Sequence, residues 1–315
     1  MRLTGLLILI FVGILSCQEK EKKDPKNTTV QFELMVLGAA QDGGYPQAGC
    51  ARNCCSKHDE NKAKASSPTC LALRDHVAKK VWFFECTPDF PTQWQLWKTT
   101  TGDRNKSRPD GFFLTHAHVG HYAGLIHLGR EIMGTQHVPV FVLPKMFDFL
   151  SNNGPWSQLV KLENITLNPM NTDSAIRLSD QLNITPFVVP HRDEFSETAG
   201  YRIKVKDKTI LFIPDIDKWQ KWDRNIVKEI ESCDMAFLDA TFFKNGELNR
   251  DMSEIPHPFV EESMKLFEGL SASNKDKVWF IHFNHTNPLL FDEQAQVLVE
   301  KLGFHVAVMG DKFEF

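Results

Sequence analysis

Thr115-His116-Ala117-His118-Val119-Gly120-His121-Tyr122-Ala123-Gly124 sets three imidazoles within six residues, directly behind the apolar run Gly111, Phe112, Phe113 and Leu114. In an extended segment residues two apart face the same way, so His116 and His118 can present their rings to one cation. His121 follows as the chain turns into a helix expected over Tyr122–Glu131, and it points to a neighbouring position. Neutral imidazole is the commonest ligand for zinc-like ions. The plain alternative is packed or surface histidine. Isolated His127, His137 and His305 are read that way, and three histidines in six residues behind a strand are read as ligands.

The same punctuation recurs further along. Ile184–Val189 runs into Pro190 and His191, Thr209–Ile213 into Pro214 and Asp215, Met235–Leu238 into Asp239, and Val278–Ile281 into His282. Short apolar runs bounded by turn formers read as buried strands. Strands that each stop at a metal-binding residue describe sheets whose ends line a common pocket, the usual place for a site in an α/β architecture.

The amino terminus reads separately. An apolar run from Leu6 to Leu15 behind Arg2 is too short to span a bilayer and is expected to be the core of a signal peptide over residues 1–17. Ile14-Leu15-Ser16-Cys17 resembles a bacterial lipobox, which implies acylation of Cys17, a membrane anchor and a place in the bacterial cell envelope, periplasmic or surface side; an ordinary cleaved signal is the alternative. Residues 18–29 have no apolar face and are expected to be a flexible tether, leaving 30–315 as one domain. A formal net charge of −4 with scattered basic residues gives no nucleic-acid stripe. Twenty-four phenylalanines and seven tryptophans require a heavily apolar interior.

His116, His118 and His121 resemble the HxHxDH signature of the metallo-β-lactamase superfamily, and the later ligands come in its order. The resemblance implies a four-layer αββα sandwich. It also implies a first metal on His116, His118 and His191, a bridging Asp215, and a second metal on His121 and His282. Glu85 and Asp239 would orient those ligands, since ligand histidines need a partner on their other nitrogen. Leu37-Gly38-Ala39-Ala40-Gln41-Asp42-Gly43-Gly44-Tyr45-Pro46-Gln47 and Ile281-His282-Phe283-Asn284-His285-Thr286-Asn287-Pro288 are similar to the pyrroloquinoline quinone biosynthesis protein B group and to the cyclic phosphodiesterases of phosphonate breakdown.

Three departures from that pattern matter. Gly120 stands where the signature has aspartate, so the second position is expected to bind more weakly, with three outcomes: one tightly held ion, two ions with water filling the gap, or a carboxylate brought in from elsewhere. Asp42 is the residue weighed for the last of these, against an ordinary turn aspartate, and Gly120→Asp is expected to raise occupancy. Glu85 stands where relatives have aspartate. Relatives hold a structural zinc on Cys-x-Cys-x-x-Cys and a distant histidine; this chain offers Cys50, Cys54, Cys55 and His285, with Arg52 at the middle position, and a disulfide with an idle thiol is the alternative. Cys70, Cys86 and Cys233 read as core residues.

These residues imply a metal-dependent hydrolase acting on a small phosphodiester or ester-like substrate, with zinc first and manganese or iron as alternatives. On that reading a metal-activated hydroxide would be the nucleophile and Asp215 would orient it, and the resemblance implies that His257 in Ile255-Pro256-His257-Pro258, where the related group places a histidine in a similar loop, would protonate the leaving group. The other reading is a non-hydrolytic metal-binding lipoprotein or an oxidative enzyme. No nucleic-acid partner is expected, and the oligomeric state is open.

Overall fold

Phe32–Gly38 (β1) is buried along its whole length, and its side chains alternate between two cores: Phe32, Leu34 and Val36 enter one, Met35 and Leu37 the other. A period of two with both phases apolar belongs to a strand covered on both faces. In this computed structural model, which describes residues 30–60 and 63–315, that strand lies near one edge of a sheet between an inner and an outer layer. The expected signal peptide, the acylation site at Cys17 and the tether lie outside the described residues. No helix among the described residues is long and apolar enough to cross a membrane.

The sheet continues through β2 (Cys70–Asp75), β3 (Lys80–Phe84), β4 (Gly111–Phe113), β5 (Val138–Val142) and β6 (Ile165–Pro169). A second sheet is made by β7 (Ile176–Ser179), β8 (Leu182–Val189), β9 (Thr198–Val205), β10 (Lys208–Ile213), β11 (Met235–Asp239), β12 (Val278–Ile281) and β13 (His305–Val306). The chain then returns as β14 (Lys312–Glu314) beside β1, giving the orders β14-β1-β2-β3-β4-β5-β6 and β13-β12-β11-β10-β9-β8-β7.

Aromatic residues fill the space between the sheets. Phe84 stacks on Phe113 at 5.2 Å between centroids and meets Tyr201 at 5.7 Å and Phe212 at 6.1 Å edge-on. On the outer face of the first sheet, the helix Phe90–Thr101 sets Trp94 against Phe83 at 5.8 Å, and Trp94 stacks on Trp97 at 4.9 Å. The helices Ile226–Glu231, Val260–Leu266 and Glu293–Lys301 bring Ile226, Ile230, Val260 and Val299 to the second sheet. The architecture is the four-layer αββα sandwich.

Parallel pairing decides where the chemistry goes. β3 to β6 run parallel, as do β10 to β13. The loops after β3, β4, β10, β11 and β12 therefore meet, bringing Glu85, His116, Asp215, Asp239 and His282 into one neighbourhood. Glu85 and His282 each follow a strand with φ of 84° and 68°, left-handed values that are costly outside glycine and that turn these side chains inward.

One expected element differs. The helix placed over Tyr122–Glu131 is a single turn, Val119–Tyr122, followed by a 3-10 helix, Ala123–Leu128. Its backbone is drawn away from an α-ladder: Cys86 N–H donates to His121 O at 2.9 Å, and Gly124 N–H donates to Cys86 O at 2.9 Å. Gly124 presses so closely on this loop that a Cβ there would meet Thr87 O at 2.0 Å.

Candidate metal centre

Four donor atoms from three stretches of chain converge on one point. His116 Nε2 lies 2.7 Å from His118 Nδ1, which lies 3.2 Å from His191 Nε2. Asp215 Oδ2 closes the ring at 3.3 Å from His116 Nε2 and 3.2 Å from His191 Nε2. Ligands about 2.0–2.2 Å from a tetrahedral ion stand roughly 3.3 Å apart, so these spacings fit a divalent cation. Burial, then the neighbouring His121, pushes the His116 imidazole well below the ordinary histidine value, and burial lowers His118, which keeps both neutral and able to ligate.

The histidines are aimed by partners on their other nitrogens. Thr115 Oγ1 lies 2.8 Å from His116 Nδ1 and donates to Glu85 Oε1 at 2.6 Å. Glu194 Oε2 stands 3.0 Å from His118 Nε2, whereas Asp217 Oδ1, 3.5 Å from His191 Nδ1, makes no hydrogen bond to it.

A second set adjoins the first through Asp215. His121 Nδ1 bonds Glu85 Oε1 at 3.2 Å, which leaves Nε2 facing Asp215 Oδ2 at 3.7 Å and Asp42 Oδ1 at 3.4 Å. His282 Nδ1 is held by Thr241 Oγ1 at 3.0 Å. Asp42 Oδ1, His121 Nε2 and His282 Nε2 are all buried with no hydrogen-bond partner, and the three residues offer ligand atoms within 4.8 Å of one another. Leaving a buried polar atom unpaired costs about 1–3 kcal/mol, more when charged, so three at one place form a cradle for a cation.

Asp239 carries more of this edge than the sequence implied. Its Oδ2 meets His257 Nδ1 at 2.9 Å, and its Oδ1 accepts from Thr241 Oγ1 at 2.6 Å, the same hydroxyl that holds His282. His257 Nδ1 also lies 3.2 Å from Asp215 Oδ1. Burial alone would lower the His257 pKa, but the carboxylates of Asp239 and Asp215 hold it up to about 10. A cation on Asp215 would withdraw part of that support.

Cys50, Cys54, Cys55 and His285 come together as a separate group, each offering an atom within 4.8 Å of the others. Cys50 Sγ and Cys54 Sγ are 3.7 Å apart, against about 2.05 Å in a disulfide, and all six cysteines among the described residues are free thiols. Arg52 Nη2 stands 3.2 Å from His285 Nε2 and competes for the lone pair an ion would need there. Cys70, Cys86 and Cys233 are buried, as expected of core residues.

The expected rise in occupancy on Gly120→Asp does not survive this geometry. A Cβ on Gly120 would meet Asp42 Oδ1 at 2.1 Å and Asp42 Cα at 2.5 Å, so the space for a carboxylate at 120 is already taken. Sequence reading missed Thr115, Glu194, Asp217 and Thr241. Asp217 and Thr241 sit two residues beyond Asp215 and Asp239, a spacing that puts side chains on one face of an extended chain. Glu194 left no local signal.

The family model described as the beta-lactamase superfamily domain matches residues 83–283, and the chain belongs to that family. Within it the chain is similar to coenzyme PQQ synthesis protein B of Gluconobacter oxydans, at 26% identity over 310 residues, covering 90% of this chain and 98% of the relative. Zn(2+)-bound PqqB from Methylobacterium extorquens shares the fold with a TM-score of 0.74 at 19% identity, over 90% of this chain and all (100%) of that one. A diphosphatase from the PhnP family follows with a TM-score of 0.64 at 21% identity, over 90% and 97%.

Proposed function

We propose that this chain is a metal-dependent hydrolase whose substrate is a small phosphodiester or a related ester. The observation that carries this reading is Asp215, one carboxylate shared between two donor sets: Oδ2 faces His116, His191 and His121, and Oδ1 faces His257. A carboxylate so shared belongs to a two-cation hydrolytic site more readily than to a single structural ion.

His116, His118, His191 and Asp215 would hold the first ion, and Asp215, His121 and His282 the second. When bound, such ions acidify water from a pKa of 15.7 to about 7 and neutralise charge developing on the substrate. Asp215 would orient the attacking water. His257 keeps its Nδ1 on Asp239 and Asp215, so its Nε2 is the end left to protonate a departing alkoxide. Glu85, Asp239, Thr115 and Thr241 hold the rings and move no proton of the substrate. Zinc suits the imidazole-rich set and is the ion bound by the Methylobacterium relative; manganese and iron are the other ions to load. Cys50, Cys54, Cys55 and His285 would hold a structural zinc. With a lipid anchor at Cys17 the enzyme would work at the bacterial cell envelope.

The second reading is a non-hydrolytic metal-binding lipoprotein or an oxidative enzyme, favoured by glycine at 120 in place of the signature's aspartate. Loading the protein with zinc, manganese or iron(II) and offering bis(p-nitrophenyl) phosphate and cyclic nucleotides separates the two. The hydrolase reading predicts p-nitrophenolate or opened-ring product without oxygen uptake, and loss of both turnover and first-site metal in His118→Ala. Full metal content with no hydrolysis of any ester contradicts it.

A further inference from the structure

The second donor set is one carboxylate short by the family signature, because residue 120 is glycine. We propose that Asp42, carried on the loop after β1, is the carboxylate ligand of the second metal position and stands in the space that an aspartate at 120 would occupy. The inference rests on the metal-dependent reading above, and concerns which residue completes the site.

Three independent observations meet here. The first is steric. An ideal Cβ at Gly120 falls 2.1 Å from Asp42 Oδ1 and 2.8 Å from Asp42 Cβ, so the side chain at 42 fills the volume a side chain at 120 would need. Only glycine at 120 leaves room for it.

The second is chemical. Asp42 Oδ1 is buried, has no hydrogen-bond partner, and lies 3.4 Å from His121 Nε2, itself buried and unpartnered. Asp42, His121 and His282 each offer a ligand atom within 4.8 Å of the others. A turn aspartate would instead accept backbone amides of its own loop, and no such bond to Asp42 is made here. Oxygen and imidazole donors at this spacing form a divalent-cation site once Asp215 is added.

The third is mechanical, because the loop is fastened to the strand end that carries His282. Gln41 N–H donates to Phe283 O at 2.7 Å, Phe283 N–H to Ala39 O at 2.8 Å, and Asn284 Nδ2 to Gln41 Oε1 at 2.6 Å. Gly44, with φ of 69°, closes the turn by donating to Gln41 O at 2.8 Å. The backbone at 42 is thus held in register with His282 before any ion arrives. The second ion would tie together the loops after β1, β4 and β12, whereas an aspartate at 120 would leave the first of these outside the site.

The test uses Asp42→Asn, which keeps shape and removes charge, and Asp42→Ala, which removes the ligand. Metal content after zinc loading, the affinity of the second ion by calorimetry, and amide exchange of residues 41–47 are compared with the unsubstituted protein. The expected result is two active-site ions per chain in the unsubstituted protein and one in Asp42→Ala. The second ion should bind at least tenfold more weakly in Asp42→Asn, and exchange in 41–47 should slow on loading only when Asp42 is present. A second ion held with unchanged affinity in both variants overturns the assignment, as does a single active-site ion in the unsubstituted protein. Absence of ester hydrolysis by protein that holds both ions counts against the hydrolase reading alone, so the two failures are distinguishable. Cys50→Ser, measured in parallel, separates ions held at the thiol cluster from those at the active site.

Discussion

Glu85 Oε1 sits 3.2 Å from His121 Nδ1 and 2.6 Å from Thr115 Oγ1, and Thr115 Oγ1 is in turn 2.8 Å from His116 Nδ1. One fully buried carboxylate thereby sets the orientation of a histidine in each donor set. Glu85→Ala is expected to weaken metal binding at both positions by about 10–100-fold while leaving every ligand in place. Calorimetric titration of the metal-free variant reads this directly; unchanged affinities would show that packing alone holds the rings.

His257 is expected to separate from the ligands in its phenotype. His257→Gln should lower kcat about 10²–10⁴-fold on an alkyl ester with a poor leaving group. The loss should be much smaller on a p-nitrophenyl ester, whose leaving group needs no proton. Metal content should stay as it was. Equal losses on both substrates, or loss of an ion, would make His257 a support of Asp215 and not a proton donor.

The thiol cluster yields a stability prediction. If Cys50, Cys54, Cys55 and His285 hold an ion, Cys54→Ser lowers zinc content by one per chain and lowers Tm, and a chelator does the same to the unsubstituted protein. The cluster lies on the segment following the Asp42 loop, so the loss should loosen exchange in residues 50–60 and leave 41–47 to the active-site ions. Unaltered zinc and Tm would mark the cysteines as free thiols packed together.

Much of the site was legible because parallel strands end in their functional residues. His116, His191, Asp215, Asp239 and His282 each follow an apolar run closed by a turn, and that pattern survives in a one-dimensional reading. The reading failed where contacts are set by closure of distant loops. Asp42 and Gly120 are 78 positions apart in number (120 − 42), and nothing local to either shows that one fills the other's space. The helix after His121 was misjudged for a similar reason: its amide and carbonyl groups are taken by Cys86, a residue in the loop after β3. Arg52 against His285 is equally non-local.

Away from the site, Asp110 ties the start of β4 to its neighbour. Its carboxylate accepts from Val81 N–H at 2.9 Å and pairs with Lys80 at 3.0 Å and Lys106 at 2.7 Å. Burial works against the charged form, but the bonds from Lys106 and Val81 prevail and hold the pKa below the ordinary carboxylate value. A depressed carboxyl stabilises the fold above its unfolded pKa and loses that contribution as pH falls through the folded value. Asp110→Asn is therefore expected to cost roughly 1–2 kcal/mol at pH 7, with the difference shrinking below about pH 4. Urea denaturation at pH 7 and at pH 3 checks both magnitude and sign.

Cation binding at the strand ends requires imidazoles and carboxylates from separate loops to converge on shared ions. Crystals of the zinc-loaded protein, measured on both sides of the zinc absorption edge, test it most directly. One anomalous peak is expected among His116 Nε2, His118 Nδ1, His191 Nε2 and Asp215 Oδ2, and a second among His121, His282, Asp215 and Asp42. Fully loaded protein with no peak between His116, His118 and His191 would contradict it.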